Sequence, residues 1–118
     1  MKLVIGGFSQ GKLEFVKREW LSVQEGMLMD HAPEVLEQLH IFVRNSLLAG
    51  RCPEHEVAEY VALHPDCIII SDEIGNGIVP MDAFEREYRE RCGRILVNLA
   101  KEADEVVRVV CGIGQKIK

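Results

Sequence analysis

The feature that most limits the fold of this chain is the uninterrupted apolar run at residues 67–70, Cys-Ile-Ile-Ile, in which three residues are β-branched. A strand with one solvated face alternates apolar and polar residues, whereas a continuous apolar run is typical of a strand covered on both faces. We therefore expect residues 67–70 to form the central strand of a parallel sheet flanked by helices. Two other β-prone runs, residues 2–5 and 106–110, are expected to lie in the same sheet.

Apolar residues at helical spacing separate these runs. The longest stripe predicts a helix over residues 83–102, preceded by a plausible capping pair of Asp82 and Glu85. Residues 35–43 are interpreted as a short strand running into a helix that ends near residue 50, and residues 54–64 as a short surface helix. Strands that alternate with helices predict a three-layer α/β domain with a small, mostly parallel sheet.

Length and composition narrow the classes of protein further. A chain of 118 residues can bury one core, so we expect a single domain over residues 1–118. No apolar run is long enough to span a bilayer and no secretory signal is recognisable, which predicts a cytoplasmic protein without a membrane partner. The formal net charge of −5 argues against nucleic-acid binding, and the four scattered cysteines are expected to be free thiols.

Leu13, Val16, Trp20 and Val23 recur at helical spacing and predict a first helix. A glycine-rich loop joins the strand predicted at residues 2–5 to this helix and matches the pattern G-x-x-x-x-G-K. In such a loop, backbone N–H groups converge on phosphates while the helix N-terminus and the lysine supply positive charge. The expected ligand is a nucleoside di- or triphosphate. The alternative is a glycine-rich turn that carries a surface lysine. The predicted nucleotide-binding residues are Gly6, Gly7, Phe8, Ser9, Gln10, Gly11, Lys12 and Leu13.

A phosphate site of this kind also needs a carboxylate for Mg²⁺ at the end of a neighbouring strand. Asp72 and Glu73 follow the buried run after one serine, and Glu37 lies within the ambiguous segment at residues 35–40, so all three are candidate magnesium-side residues. The hydroxyl residue that normally follows the lysine and binds the metal is replaced by Leu13. The alternative for each acid is that it has no role in metal binding. Acids often follow strands simply because loops are solvated.

Other polar residues carry weaker signals. The four histidines, His31, His40, His55 and His64, have no metal-ligand spacing and are interpreted as solvated or helix-face residues. Arginines and glutamates alternate on the long predicted helix, which is typical of a solvated face. Neither set alone indicates a function.

The segment at residues 71–80, S-D-E-I-G-N-G-I-V-P, resembles the S-N-E-V-G-x-G-I-V-P signature of the cobinamide kinase/cobinamide-phosphate guanylyltransferase family. The similarity continues through Arg86, Arg89, Gly93 and Arg94, through residues 103–106, and into the closing G-I-G-Q-K-I-K. The paired glycines of the N-terminal loop fit the same family. Together these segments cover about the first 20 and the last 50 residues.

This resemblance implies a P-loop NTPase-like domain and a cytoplasmic transferase of cobalamin biosynthesis. Family members use ATP or GTP to phosphorylate the aminopropanol hydroxyl of adenosylcobinamide, and then transfer GMP to the product through a guanylylated histidine. Lys12 and Glu73 are our candidate catalytic residues, with ATP or GTP and Mg²⁺ as the expected cofactors. The residues expected to approach the phosphates or the corrinoid are Gly75, Gly77, Arg86 and Arg89.

Departures from the family pattern shape the functional prediction. Leu13 stands where the family has serine, and Asp72 where it has asparagine. Only residues 26–34 occupy the interval in which family members carry the histidine nucleophile, and His31 lies in no recognisable copy of that motif. We therefore predict a cobinamide kinase-like protein that lacks the guanylyltransferase step. The alternative is a non-catalytic nucleotide- or corrinoid-binding regulatory module, and a homo-oligomer whose subunits complete the site is also expected.

Overall fold

The computed structural model describes residues 1–21, 33–74 and 82–118. His31, Gly75 and Gly77, together with residues 26–32 of the interval that lacks the histidine motif, lie outside these ranges. Along the described chain strands and helices alternate, except for one pair of consecutive helices and a final pair of consecutive strands. They are β1 (Lys2–Gly6), α1 (Lys12–Glu19), β2 (Val35–Leu36), α2 (Leu39–Leu48), α3 (Pro53–Leu63), β3 (Ile68–Asp72), α4 (Ala83–Glu102), β4 (Glu105–Val110) and β5 (Ile113–Lys116).

The strands form one five-stranded sheet in the order β2-β3-β1-β4-β5. β1 pairs in parallel with β3 on one side and with β4 on the other, so β1 occupies the centre. The prediction that residues 67–70 form the central strand is therefore wrong: β3 is an inner strand one position away from the centre. Burial on both faces holds for both positions, so an apolar run does not distinguish them.

A fifth strand was not predicted at all. β5 pairs antiparallel with β4, and Val110 lies opposite Ile113 across the turn at Cys111 and Gly112. Both turn residues have positive φ, at 50° and 76°. Three of the four β5 residues are exposed and only Ile113 carries an apolar side chain, so the segment lacks the apolar run from which the other strands are recognised.

Each face of the sheet packs against its own set of helices. Leu3, Ile69 and Val106 point to the face covered by α2, α3 and α4, where they meet Val43, Val57, Cys92 and Ile95. Val4, Ile68 and Val107 point to the other face, where they meet Val16 of α1. Helix, sheet and helix make three layers, which confirms the predicted α/β fold class.

The start of α4 follows from its sequence. The Asp82 side chain accepts hydrogen bonds from the backbone N–H groups of Phe84 and Glu85, at 2.7 and 3.2 Å. This confirms Asp82 as the N-cap. The Glu85 carboxylate forms an ion pair with Arg44 of α2 at 2.6 Å, which ties the two helices together.

The helix predicted over residues 83–102 is present with those bounds, and the helices predicted within residues 35–50 and 54–64 are present with ends that differ by a few residues. No helix among the described residues is both long enough and apolar enough to cross a membrane.

Candidate functional site

The candidate site lies where the central strands end. Because β1 and β3 run in parallel, their carboxyl ends meet at one edge of the sheet, and Gly6 is in register with Asp72. The backbone N–H of Glu73 donates to the Gly6 carbonyl at 2.8 Å, which extends the pairing past the strand. The glycine loop and the two acids that were predicted separately are thus neighbours.

The loop between β1 and α1 is curled. Ser9 and Gly11 both have positive φ, at 55° and 84°, and Gly11 is the N-cap of α1. The first N–H groups of a helix have no partner within the helix, so this turn presents donors and a positive dipole end at its mouth. The first residue of the loop is closely packed against β4: a Cβ built on Gly6 would lie 2.6 Å from the Val109 carbonyl oxygen.

The turn between β4 and β5 supports the loop from outside. Gln10 accepts two hydrogen bonds from it: the Gly112 N–H donates to the Gln10 carbonyl at 2.8 Å, and the Cys111 N–H donates to Gln10 Oε1 at 2.7 Å. The strand that sequence patterns missed therefore helps to fix the shape of the loop.

Lys12, the first residue of α1, is directed into the edge of the sheet. Its side chain is 8% exposed, and Nζ lies 2.7 Å from Asp72 Oδ1. The same ammonium donates to the Gly7 carbonyl at 2.6 Å. A buried ammonium requires such partners, because desolvation of an unpaired charge is costly. The structure thus joins the loop lysine to the acid that ends β3.

Asp72 has a second partner in His40 of α2. His40 Nε2 lies 3.4 Å from Asp72 Oδ2, and the Asp72 backbone N–H donates to His40 Nδ1 at 3.1 Å. Burial lowers the pKa of His40; the Asp72 charge opposes this and the Lys12 charge adds to it. His40 lies on α2, as one of the two expected alternatives had it, but its imidazole is only 11% exposed, so the expectation of a solvated histidine is wrong for this residue.

Glu73 points elsewhere. Its carboxylate pairs with Arg108 of β4, with Oε1 at 3.0 Å from Nε. Of the two acids that end β3, Asp72 is the one in contact with Lys12. The alternation of side chains along an extended chain sends neighbouring residues in opposite directions.

A cleft of about 620 Å³ opens beside these groups. One wall is the glycine loop from Phe8 to Leu13, and the opposite wall carries Glu37, His40 and Asp72. Glu37 is exposed, at the junction of β2 and α2. The three predicted loop, lysine and carboxylate groups therefore face one cavity.

The described residues contain no cluster of three or more His, Cys, Asp or Glu side chains able to hold a metal ion by themselves. Magnesium bound with a nucleotide usually takes one or two carboxylates from the protein and its other ligands from phosphates and water. Asp72 and Glu37 in the cleft fit that limited demand.

The remaining predicted site residues lie on α4 or outside the described residues. Arg86 is exposed and Arg89 half-buried on α4. Gly75 and Gly77, the other predicted contributors, lie outside the described residues. Sequence reasoning missed His40, although its position three residues after Glu37, at a predicted strand-to-helix junction, was a usable signal.

Comparison with known families gives one match over most of the chain. Residues 14–117 match the family model described as cobinamide kinase / cobinamide phosphate guanyltransferase. The matched range begins directly after the glycine loop.

Two curated relatives align with part of the chain. A bifunctional adenosylcobalamin biosynthesis protein of Salmonella typhimurium is 47% identical over 51 residues, which is 43% of this chain and 28% of that protein. The protein of the same name from Escherichia coli is 45% identical over 51 residues, with the same coverage of both chains. The aligned segment thus spans a little over a quarter of each relative's length.

Proposed function

This chain belongs to the cobinamide kinase / cobinamide phosphate guanyltransferase family, and from that premise we propose that it is a single-domain, nucleotide-binding kinase of cobalamin biosynthesis. The proposed reaction transfers the terminal phosphate of ATP or GTP to the aminopropanol hydroxyl of adenosylcobinamide. The observation that carries the proposal is the buried contact of 2.7 Å between Lys12 and Asp72, at the mouth of a curled glycine loop.

The loop suits a triphosphate. Residues 6–13 would bind the phosphates through backbone N–H groups, and the Lys12 ammonium would stabilise the charge that develops on the transferred group. In the transfer, the substrate oxygen forms a bond to the terminal phosphorus, the bond to the bridging oxygen breaks, and the hydroxyl proton leaves to a carboxylate or to water. Most of the catalysis would be positioning and charge stabilisation.

Three acids are candidates for the magnesium-side role. The family resemblance favours Glu73, whereas position in the cleft favours Asp72 with Glu37. When bound with the nucleotide, Mg²⁺ would neutralise phosphate charge. We propose Asp72 as the nearer carboxylate, because Glu73 is paired with Arg108. Arg86 and Arg89, with Gly75 and Gly77, would approach the phosphates or the corrinoid.

The guanylyltransferase step is proposed to be absent. Its histidine nucleophile needs a free ring nitrogen. His40 is the histidine that lines the described cleft, and both of its ring nitrogens face Asp72. A chain incubated with GTP labelled at the α-phosphate should therefore remain unlabelled, and a stable covalent label on the protein would overturn this part of the proposal.

The direct test is a kinase assay with purified protein, adenosylcobinamide, Mg²⁺ and ATP or GTP labelled at the terminal phosphate. We expect phosphorylated cobinamide, with a Lys12→Ala variant reduced by roughly a hundredfold or more. Lys17→Ala is the matched control, since Lys17 is an exposed lysine on the same helix. A Lys12→Ala variant with unchanged activity would mean that the glycine loop takes no part in the reaction.

The second candidate is a nucleotide- or corrinoid-binding regulatory module without turnover. Leu13 favours it, because a leucine cannot supply the hydroxyl that P-loop enzymes offer to magnesium. Calorimetry distinguishes the two: binding of nucleotide without any phosphorylated product selects the module. We also propose that the chain self-associates, which gel filtration with light scattering would decide.

A further inference from the structure

The His40 imidazole contacts Asp72 at two points, its backbone N–H and its carboxylate. The backbone N–H of Asp72 donates to Nδ1, which must therefore hold a lone pair, so the ring proton of the neutral imidazole lies on Nε2. That nitrogen faces Asp72 Oδ2 at 3.4 Å. A single side chain thus fixes both the backbone and the carboxylate of the acid that ends β3.

The placement of His40 is itself enforced. Gln38, the N-cap of α2, has a left-handed backbone with φ of 56°. Leu39 is fully buried, and the carbonyl of His40 accepts a hydrogen bond of 2.7 Å from the Tyr88 hydroxyl of α4. Since the helix is anchored on both sides of the imidazole, the ring has little freedom to leave Asp72.

The two oxygens of Asp72 are divided between different partners. Oδ1 meets Lys12 at 2.7 Å, whereas Oδ2 faces His40. A phosphate that drew Lys12 away would free Oδ1, while His40 would still hold Oδ2 and the Asp72 backbone N–H. The carboxylate would then have to give up only its contact with Lys12, because His40 already fixes its orientation.

We propose that His40 is a positioning residue that fixes the Asp72 carboxylate for a magnesium ion, or its water ligands, carried by a nucleotide. The proposal rests on the proposed nucleotide-binding function. It deepens that function, because neighbours that orient a metal-binding carboxylate commonly govern metal affinity.

The test compares binding of a non-hydrolysable ATP or GTP analogue with Mg²⁺ and with EDTA, by calorimetry. We expect His40→Ala to weaken binding roughly tenfold with Mg²⁺ and to leave it unchanged in EDTA. His40→Gln, whose amide can both accept and donate, should restore part of the loss. His55→Gln is the matched control, since His55 is an exposed histidine on α3.

Each outcome decides something. An equal loss with and without Mg²⁺ would mean a purely structural role and would overturn the inference while leaving the proposed function intact. Unchanged binding of the analogue by His40→Ala would also overturn the inference and leave the proposed function intact. Failure of the wild-type chain to bind the analogue at all would overturn the proposed function, and the inference with it.

A measurement on the wild-type chain covers the case in which His40→Ala does not fold. Nitrogen-15 NMR of the histidine side chains should find His40 protonated on Nε2 at neutral pH, with Nδ1 shifted as a hydrogen-bond acceptor. A ring protonated on Nδ1, or a mixture of tautomers like that of a solvated histidine, would contradict the two contacts with Asp72 and so overturn the inference.

Discussion

Arg91 of α4 holds Glu54 at the start of α3 in a two-pronged contact, with Nε to Oε1 at 2.8 Å and Nη2 to Oε2 at 2.6 Å. The hydrogen bonds from Arg91 are the main cause that lowers the pKa of Glu54 to about 2. A planar guanidinium on a carboxylate is the geometry in which a surface ion pair contributes most. The contact fastens α3 to the helix layer that covers one face of the sheet.

The first prediction concerns the pH dependence of this pair. Since the folded-state pKa of Glu54 lies below its ordinary value of 4.5, its contribution is present above about pH 4.5 and is lost as the pH falls towards 2. Glu54→Gln should lower the free energy of unfolding at pH 7 by about 1 kcal/mol, an amount limited by solvent screening. Thermal melts at several pH values check this.

The control for that prediction is Glu87→Gln. Glu87 also pairs with Arg91, at 3.2 Å within α4, but it is more exposed than Glu54. Its loss should change the melting temperature little. A difference between wild type and Glu54→Gln that stays constant from pH 7 to pH 3 would contradict the assigned cause.

The second prediction concerns the tight start of the glycine loop. Gly6→Ala would place a Cβ 2.6 Å from the backbone oxygen of Val109, and a strand carbonyl cannot move aside cheaply. We expect a loss of about 2 kcal/mol in unfolding free energy, measured with urea, together with weaker nucleotide binding. Gly93→Ala is the control: nothing lies within 4 Å of its Cβ, and alanine favours the helix there. Equal stability of the two variants would contradict the close approach.

Much of the fold and part of the site follow from sequence because the underlying signals are local. The run at β3, the stripe of α4 and its Asp82 cap depend on neighbours in the chain. The exposed, largely polar β5 depends instead on pairing with β4, and His40 contacts Asp72 across 32 positions. Such long-range contacts leave no periodic pattern in the sequence. Neither the contact of the β4–β5 turn with the glycine loop nor that of His40 with Asp72 was therefore predicted.

The third prediction separates the roles of Asp72, the last residue of β3, and Glu73, which follows it. Asp72 contacts Lys12, and Glu73 contacts Arg108 on the neighbouring strand. Asp72→Asn should therefore raise the Mg²⁺ concentration needed for half-maximal nucleotide binding roughly tenfold, and Glu73→Gln should raise it less. Calorimetric titrations at several Mg²⁺ concentrations measure both. The reverse order would assign the magnesium side to Glu73, in keeping with the family signature, in which asparagine stands at the position of Asp72.

The last prediction concerns the residue after the lysine. Leu13 lines the cleft and packs, half-buried, against the apolar face beneath α1. Leu13→Ser should supply a hydroxyl to a magnesium–nucleotide complex and so tighten binding in Mg²⁺, while it costs about 2 kcal/mol of stability through lost packing. Leu13→Ala is the matched control, because it loses similar packing without gaining an oxygen. Tighter Mg²⁺-dependent binding in the serine variant alone would identify the hydroxyl as the missing ligand, whereas equal binding in both variants would mean that water already fills that coordination position.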